Sequence, residues 1–290
     1  MEKIRIGTRK SLLALAQTQL VVDELNKNFP DLEIEIITKV TKGDAIQDKA
    51  LKEFGGKGVF VDELEEAIIS GELDFAVHSA KDMPMDFKEG CILCGCLKRE
   101  DARDVLVTRK GVQYRKSDQF RIGTGSLRRS IQLNSFFPKA QIVEIRGNVP
   151  TRLEKLNKGE YDAVVLAAAG LKRLGIYQKE EYNFQFFSCD SFVPAGGQGI
   201  IAIEGRKGAS QNDYIKAITH EKSMICLEAE REVLKILEAG CHEPIGVYGL
   251  LIGTTMSLRM MCAYNSRVNI SSVSGKLFEG KELARKLVIG

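Results

Sequence analysis

Tryptophan is absent from this chain, and aromatic residues amount to only 7% of its 290 positions. Proteins that bind single-stranded nucleic acid stack bases on aromatic rings set among basic residues. The arginine clusters here, such as Arg128 and Arg129, have no interleaved aromatics, so a nucleic-acid partner is not expected. Charge of one sign is also missing: the formal net charge is +3, which leaves local clusters, not the total, to recognise acidic ligands. No stretch approaches the roughly 20 apolar residues of a membrane span; the longest apolar runs are pieces such as Ala163–Leu171. The opening residues, MEKIRIG, lack the apolar centre of a secretory signal, and a cytoplasmic protein with no membrane partner is expected. The seven cysteines are odd in number and irregularly spaced; they read as reduced thiols, not as a disulfide framework. Three of them, Cys91, Cys94 and Cys96, lie close together in an apolar strand-like run without a fourth ligand, so no metal is expected. The turn Gly123-Thr124-Gly125 lacks the third glycine and the distant acidic residue of a dinucleotide fingerprint.

What the chain does contain is a sentence written twice. RIGTRKSLLA (Arg5–Ala14) returns as RIGTGSLRRS (Arg121–Ser130). Each copy reads as a short strand, a small-residue turn, and a Ser preceding a long segment of helical apolar period. A helix start offers unpaired N–H groups and the positive end of a dipole, which favours an anion. Guanidinium groups stand close by: Arg9 in the first copy, Arg128 and Arg129 in the second. Two related lobes, each presenting an anion site, follow from this.

The order of elements repeats as well. In the first copy the helix ends at Phe29 and Pro30, and Leu32–Val40 alternates like a half-buried strand. A glycine-rich excursion, Thr41–Gly58, then reads as a mobile loop before a helix over Val59–Ser70 and a strand over Leu73–Ser79. In the second copy Gln141–Ile145, Pro150–Lys158 and GEYDAVVLAAAG (Gly159–Gly170) take the same places, the last matching GELDFAVHSAKD (Gly71–Asp82). Two crossings, Lys98–Asp104 outward and Phe192–Gly199 back, predict a pair of α/β lobes facing a cleft, with Ile200–Glu204 returned to the first lobe as a strand. From about Lys222 the pattern changes to a helix, two strand-like runs and a closing helix. The predicted domains are therefore 1–98 with 199–217, then 99–198, then 218–290 as a small α+β domain.

Eight segments in register carry a resemblance: RIGTRKSLLALAQ, GGKGVFVDELE, AVHSAKDMP, GTGSLRRSIQL, IRGNVPTRL, YDAVVLAAAGLKRLG, PAGGQGIIAIE and AGCHEPIG. Together they resemble the porphobilinogen deaminase family, also called hydroxymethylbilane synthase, and the resemblance spans essentially the whole chain. It implies two lobes of the type II periplasmic-binding-protein kind plus a small third domain, a covalently held dipyrromethane cofactor, and a monomeric enzyme. The implied activity joins four porphobilinogen molecules with loss of ammonia and releases a linear tetrapyrrole by hydrolysis.

The same resemblance distributes roles. It puts the cofactor on Cys241 in AGCHEPIG, where Ala239 departs from the family's common glycine pair. A thioether there would survive reducing conditions. Asp82 is implied as the catalytic carboxylate, stabilising an azafulvene-like cation and shuttling protons, with Lys81 beside it as a carboxylate ligand. Ser126, Arg128, Arg129, Arg146 and Gly147 are implied around the cofactor. Arg9, Ser11, Thr124, Arg146, Arg152, Arg173 and Gln198 are implied around the substrate, with Lys57 on a loop over the cleft. Guanidinium forks suit a substrate carrying acetate and propionate groups. His78 reads as a packed, hydrogen-bonded residue, and His242 is too close to Cys241 in sequence to serve as its base. The competing reading is a non-catalytic anion- or solute-binding two-lobe module, which would need neither Cys241 nor a third domain.

Overall fold

The computed structural model describes residues 3–39, 61–177, 179–239, 243–264 and 267–290. Lys57, Cys241 and the excursion Thr41–Gly58 lie outside the described residues. The first part of the chain runs β1 (Lys3–Arg9), α1 (Leu12–Asn28), β2 (Glu33–Lys39), α2 (Asp62–Ile69), β3 (Phe75–Ser79) and β4 (Cys91–Cys96). The second runs β5 (Asp104–Arg109), β6 (Arg121–Gly123), α3 (Leu127–Phe136), β7 (Gln141–Val143), α4 (Val149–Asn157), β8 (Ala163–Ala167), α5 (Ala168–Arg173) and β9 (Tyr182–Phe186). The third holds β10 (Ile201–Arg206), α6 (Asn212–Ile218), α7 (Glu221–Ile236), β11 (Gly246–Ile252), β12 (Thr255–Tyr264), β13 (Arg267–Lys276) and α8 (Gly280–Ile289).

Two five-stranded sheets result, β2-β1-β3-β10-β4 and β7-β6-β8-β5-β9. They share one plan: three parallel strands, then an antiparallel strand contributed by the segment that follows a crossing, then a last edge strand. This is the α/β topology of type II periplasmic-binding-protein lobes. The third sheet, β11-β12-β13, is an antiparallel meander carrying α8, which makes the C-terminal part α+β. By proximity the chain divides into two compact units, Met1–Glu100 with Ile200–Glu228, and Asp101–Gly199 with Ala229–Gly290.

The repeat is visible in its hydrogen bonds. The backbone N–H of Arg5 donates to Asp74 Oδ2 at 2.8 Å, and that of Arg121 donates to Asp162 Oδ2 at 2.8 Å. In return Asp74 N–H reaches the carbonyl of Arg5 at 2.9 Å and Asp162 N–H that of Arg121 at 3.0 Å. Each pair sets β1 against β3, or β6 against β8, at the start of the strand, where a carboxylate satisfies a donor the ladder leaves open.

The cores follow the period of two along each strand. In the first unit Ile4, Ile6, Phe75, Val77, Ile201 and Ile203 face Val21, Val22 and Leu25 of α1, while Ala76 and Cys91 face Leu64, Ala67 and Ile68 of α2. In the second, Val105, Val107, Val164 and Leu166 pack on Leu153 and Leu156 of α4; Leu106, Ala163 and Val165 turn to Leu133, Phe137 and Phe192. Each large side chain so buried contributes roughly 1.5–3 kcal/mol before the cost of ordering the chain.

Candidate functional site

In the first unit β1 and β3 run parallel, Gly7 beside Ala76, so both deliver their C-terminal ends to one edge of the sheet. Gly7 lets α2 and the β3 approach come close: a Cβ there would lie 2.2 Å from Leu73 Cδ1 and 3.0 Å from Leu64 Cδ2. β1 ends at half-buried Arg9, and Ser11 then caps α1, its Oγ accepting the Ala14 N–H at 3.2 Å. That cap satisfies one of the open donors at the helix start. Beyond β3 comes a single 3₁₀ turn, Ala80–Asp82. It is held from both sides: Ala80 N–H donates to the Ile200 carbonyl at 3.0 Å, and Gln17 of α1 donates to Ser79 Oγ at 2.9 Å. The turn leaves Lys81 half-buried and Asp82 exposed. Among the described residues, the Asp82 carboxylate has no hydrogen-bond or ion-pair partner. The structure thus brings Arg9, Ser11, Lys81 and Asp82 to the same sheet edge, the edge at which open α/β sheets bind ligands.

Behind this edge lies a buried acid-base cluster that the sequence alone does not reveal. His78 Nε2 is 2.9 Å from Glu204 Oε2, the two side chains 6% and 0% exposed. Glu65 is buried alongside, and burial, with Glu204's charge adding to it, pushes its carboxyl up to about 7, while the Lys88 N–H donating to Oε1 at 3.1 Å works the other way. The expectation that His78 is a packed residue agrees with this placement.

The corresponding edge of the second unit gathers the other set. Thr124, buried after β6, accepts the Ser126 N–H at 3.2 Å, and Ser126 caps α3 with its Oγ 3.5 Å from the Arg129 nitrogen. After β7, Arg146 pairs with Glu144 at partial exposure. Gly147 has φ +110°, and a Cβ there would lie 2.8 Å from Thr151 Cγ2. Asn148 caps α4 by accepting the Thr151 N–H at 3.0 Å, and Arg152 Nε donates to the Gly147 carbonyl at 2.8 Å. At the end of α5, Arg173 Nη2 donates to the Gly199 carbonyl at 2.6 Å.

Arg128 and Arg129 occupy an unusual position. They are 4% and 6% exposed, and both face Asp104, which is fully buried at the start of β5. Gln198, also buried, donates to Asp104 Oδ1 at 3.1 Å and to the Ala102 carbonyl at 2.7 Å. Burial pulls the Arg128 guanidinium down from its ordinary pKa, against the opposing pull of Asp104. Sequence alone does not single out Asp104; its only signal is the charged run Arg99–Asp104 ahead of an apolar strand.

The three neighbouring thiols diverge. Cys91 Sγ points to the Glu65 carbonyl at 3.8 Å, Cys94 Sγ to Asn212 Oδ1 at 3.2 Å and Cys96 Sγ to the His220 carbonyl at 4.0 Å. Burial pushes each thiol up to about 12. Among the described residues, no group of three or more His, Cys, Asp or Glu side chains could hold a metal ion. Nor, among them, is any helix long and apolar enough to cross a membrane.

Two type II lobes, each with a Ser-capped helix start and guanidinium groups at one sheet edge, define a two-lobed α/β protein, with one strand end adding an exposed carboxylate. Comparison narrows the class. Residues 4–213 match the family profile described as porphobilinogen deaminase, dipyromethane cofactor binding domain, and residues 224–288 match porphobilinogen deaminase, C-terminal domain. The porphobilinogen deaminase of Acetivibrio thermocellus is 44% identical, covering 99% of this chain and 97% of its own; that of Ruminiclostridium cellulolyticum is 39% identical over 99% and 100%. Among solved structures, CbnR, a LysR family transcriptional regulator, is 10% identical with a TM-score of 0.47, covering 76% of this chain and 71% of its own. The chain belongs to the porphobilinogen deaminase family. It is accordingly an enzyme of tetrapyrrole biosynthesis that acts on porphobilinogen and carries a dipyrromethane cofactor.

Proposed function

We propose that the chain condenses four porphobilinogen molecules head to tail, with loss of ammonia, on a dipyrromethane held by Cys241, and then releases the linear tetrapyrrole by hydrolysis. The bound cofactor supplies a primer, the pyrrole to which the first substrate is joined. The donor set of the second unit fits such a group: a helix start capped by Ser126, the guanidinium groups of Arg146 and Arg152, and a glycine at 147 where a side chain would clash. Ser126, Arg128, Arg129, Arg146, Gly147 and Lys81 would hold its acetate and propionate carboxylates. Arg9, Ser11, Thr124, Arg146, Arg152, Arg173, Gln198 and Lys57 would serve the incoming substrate. The division into domains 1–98 with 199–217, 99–198 and 218–290 belongs to the same proposal.

The observation that carries the chemistry is the placement of Asp82. An exposed carboxylate without a partner among the described residues keeps its lone pairs for a ligand. It accepts hydrogen bonds from pyrrole N–H groups, stabilises the cation formed as ammonia leaves, and takes up a proton at an Oδ atom when the new carbon-carbon bond is complete. In the second copy the position equivalent to Asp82 is Gly170, so only one lobe supplies this group. Intact mass of the purified protein tests the reading. It should exceed the sequence mass by one dipyrromethane, and Cys241→Ser should lack that increment; an unmodified, fully active protein would overturn it.

A further inference from the structure

The internal repeat contains its own control for the Arg128–Arg129 pair. Aligning the capping residues Ser11 and Ser126 places Leu13 and Ala14 opposite Arg128 and Arg129. In the sheets, Ile201 pairs with Ser79 where Asp104 pairs with Ala167. Ser79 and Ala167 are equivalent in the two copies, so Ile201 occupies the place of Asp104. At the equivalent positions one lobe therefore carries Ile, Leu and Ala, the other Asp, Arg and Arg. Since the same topology closes with apolar residues, the fold does not require the ionic version, and buried ion pairs seldom outdo well-packed apolar residues in stability.

The ionic version is tightly specified. Asp104 Oδ1 accepts from Arg129 Nε at 3.0 Å and Nη2 at 2.7 Å, and Asp104 Oδ2 lies 2.8 Å from Arg128 Nη2. The remaining arms are tied to backbone: Arg129 Nη1 to the Val165 carbonyl at 3.0 Å and Arg128 Nη1 to the Val193 carbonyl at 2.7 Å. Both guanidinium planes are thus locked by groups from β8, β5 and the segment after β9. A carboxylate in a guanidinium fork is also the contact a ligand's acetate or propionate would make.

We propose that Asp104 is a positioning residue: an internal carboxylate that sets the orientation of Arg128 and Arg129 and moderates their hold on ligand carboxylates. The proposal rests on the assignment of these arginines to ligand carboxylates made above. With the charge of one carboxylate already beside them, the paired guanidinium groups attract an incoming anion less strongly than two bare cations would, and their arms cannot wander. Such a residue touches no ligand itself.

The test uses full-length Asp104→Asn and Asp104→Glu, each read by circular dichroism, intact mass and steady-state kinetics with porphobilinogen. Folded Asp104→Asn should show cofactor occupancy reduced about tenfold, or a KM altered about tenfold with kcat changed less than about threefold. Asp104→Glu, which restores the charge but displaces it by one methylene, should fall between that variant and wild type. Wild-type occupancy and KM in a folded Asp104→Asn would overturn the proposal. If Asp104→Asn does not fold, Asp104→Glu decides: an altered KM or occupancy supports the role, and wild-type values in both reduce Asp104 to a structural ion. Wild-type protein lacking the dipyrromethane increment would instead remove the ligand assignment of the arginines, and the proposal with it.

Discussion

Replacing Glu65 with Gln should make the protein more stable in mild alkali while leaving it almost unchanged in mild acid. Glu65 sits on α2, 3% exposed, with Glu204, His78 and Cys91 packed near it and the Lys88 N–H on its Oε1. Burial raises its pKa from 4.5 to about 7 in the folded protein. A group whose folded pKa lies above its unfolded value contributes stability that is fully present below the unfolded value. That contribution is lost as pH rises through the folded one. The window therefore runs from about 4.5 to about 7. A shift of this size, which already includes the opposing Lys88 amide, corresponds to at most about 3 kcal/mol, and solvent screening brings it toward about 1–3 kcal/mol. Gln imitates the protonated acid: its carbonyl can accept from Lys88 and its amide can donate to Glu204. Urea or thermal unfolding at pH 4.5, the lower end of the window, and at pH 8 measures the difference. The advantage of Glu65→Gln should grow by about 1–3 kcal/mol between the two, or about 2–4 °C in Tm for each kcal/mol. His78, Glu204 and Cys91 are common to both proteins, so the subtraction reports the charge at position 65 together with its coupling to Glu204. Parallel pH–stability curves for variant and wild type would refute the reasoning.

Asp82→Asn should keep the cofactor mass increment yet lose turnover by about 10²–10⁴-fold, the usual contribution of positioned proton transfer; unchanged turnover in a single-cycle assay would remove Asp82 from the chemistry. Gly147→Ala should cost about 1–3 kcal/mol in urea unfolding, because φ +110° is strained for any residue with a side chain and the new methyl meets Thr151. A variant as stable as wild type would show that the Arg146–Asn148 turn can rearrange.

Much of the architecture was legible because the repeat is local. The strand-turn-Ser-helix run at Arg5 and at Arg121 changes its apolar period within a few residues, and α1 and α3 begin one residue after Ser11 and Ser126 as read. The return of Ile200–Glu204 to the first lobe was also readable, and β10 does pair there with β3 and β4. β13 was not readable: RVNISSVSGK is rich in Ser and carries little apolar alternation, as suits an edge strand whose neighbour supplies the ladder. The Asp104 corner was hidden for a different reason. Sequence reasoning assigns Asp and Arg to solvent, and the buried face of α3 is Arg128, Arg129, Gln132 and Leu133, a face no apolar-stripe rule would choose. Its logic exists only once Asp104, distant by 24 and 25 positions, is brought beneath it.

The antiparallel strand in each lobe has a consequence for how the chain folds. The second sheet draws all its strands from 104–186, so it can close as soon as that length has been made. The first sheet cannot. β10 separates β3 from β4, and its register joins Ile201 to Ser79 and Ala202 to Cys96 across more than a hundred residues. Until 201–206 leaves the ribosome, β3 is a bare edge and β4 has no neighbour to pair with. Such distant pairing is slow and leaves strand edges exposed to other chains. The lobe that begins the sequence is therefore the later one to be completed, and a chain cut short before 201 would retain one finished sheet and one permanently open one.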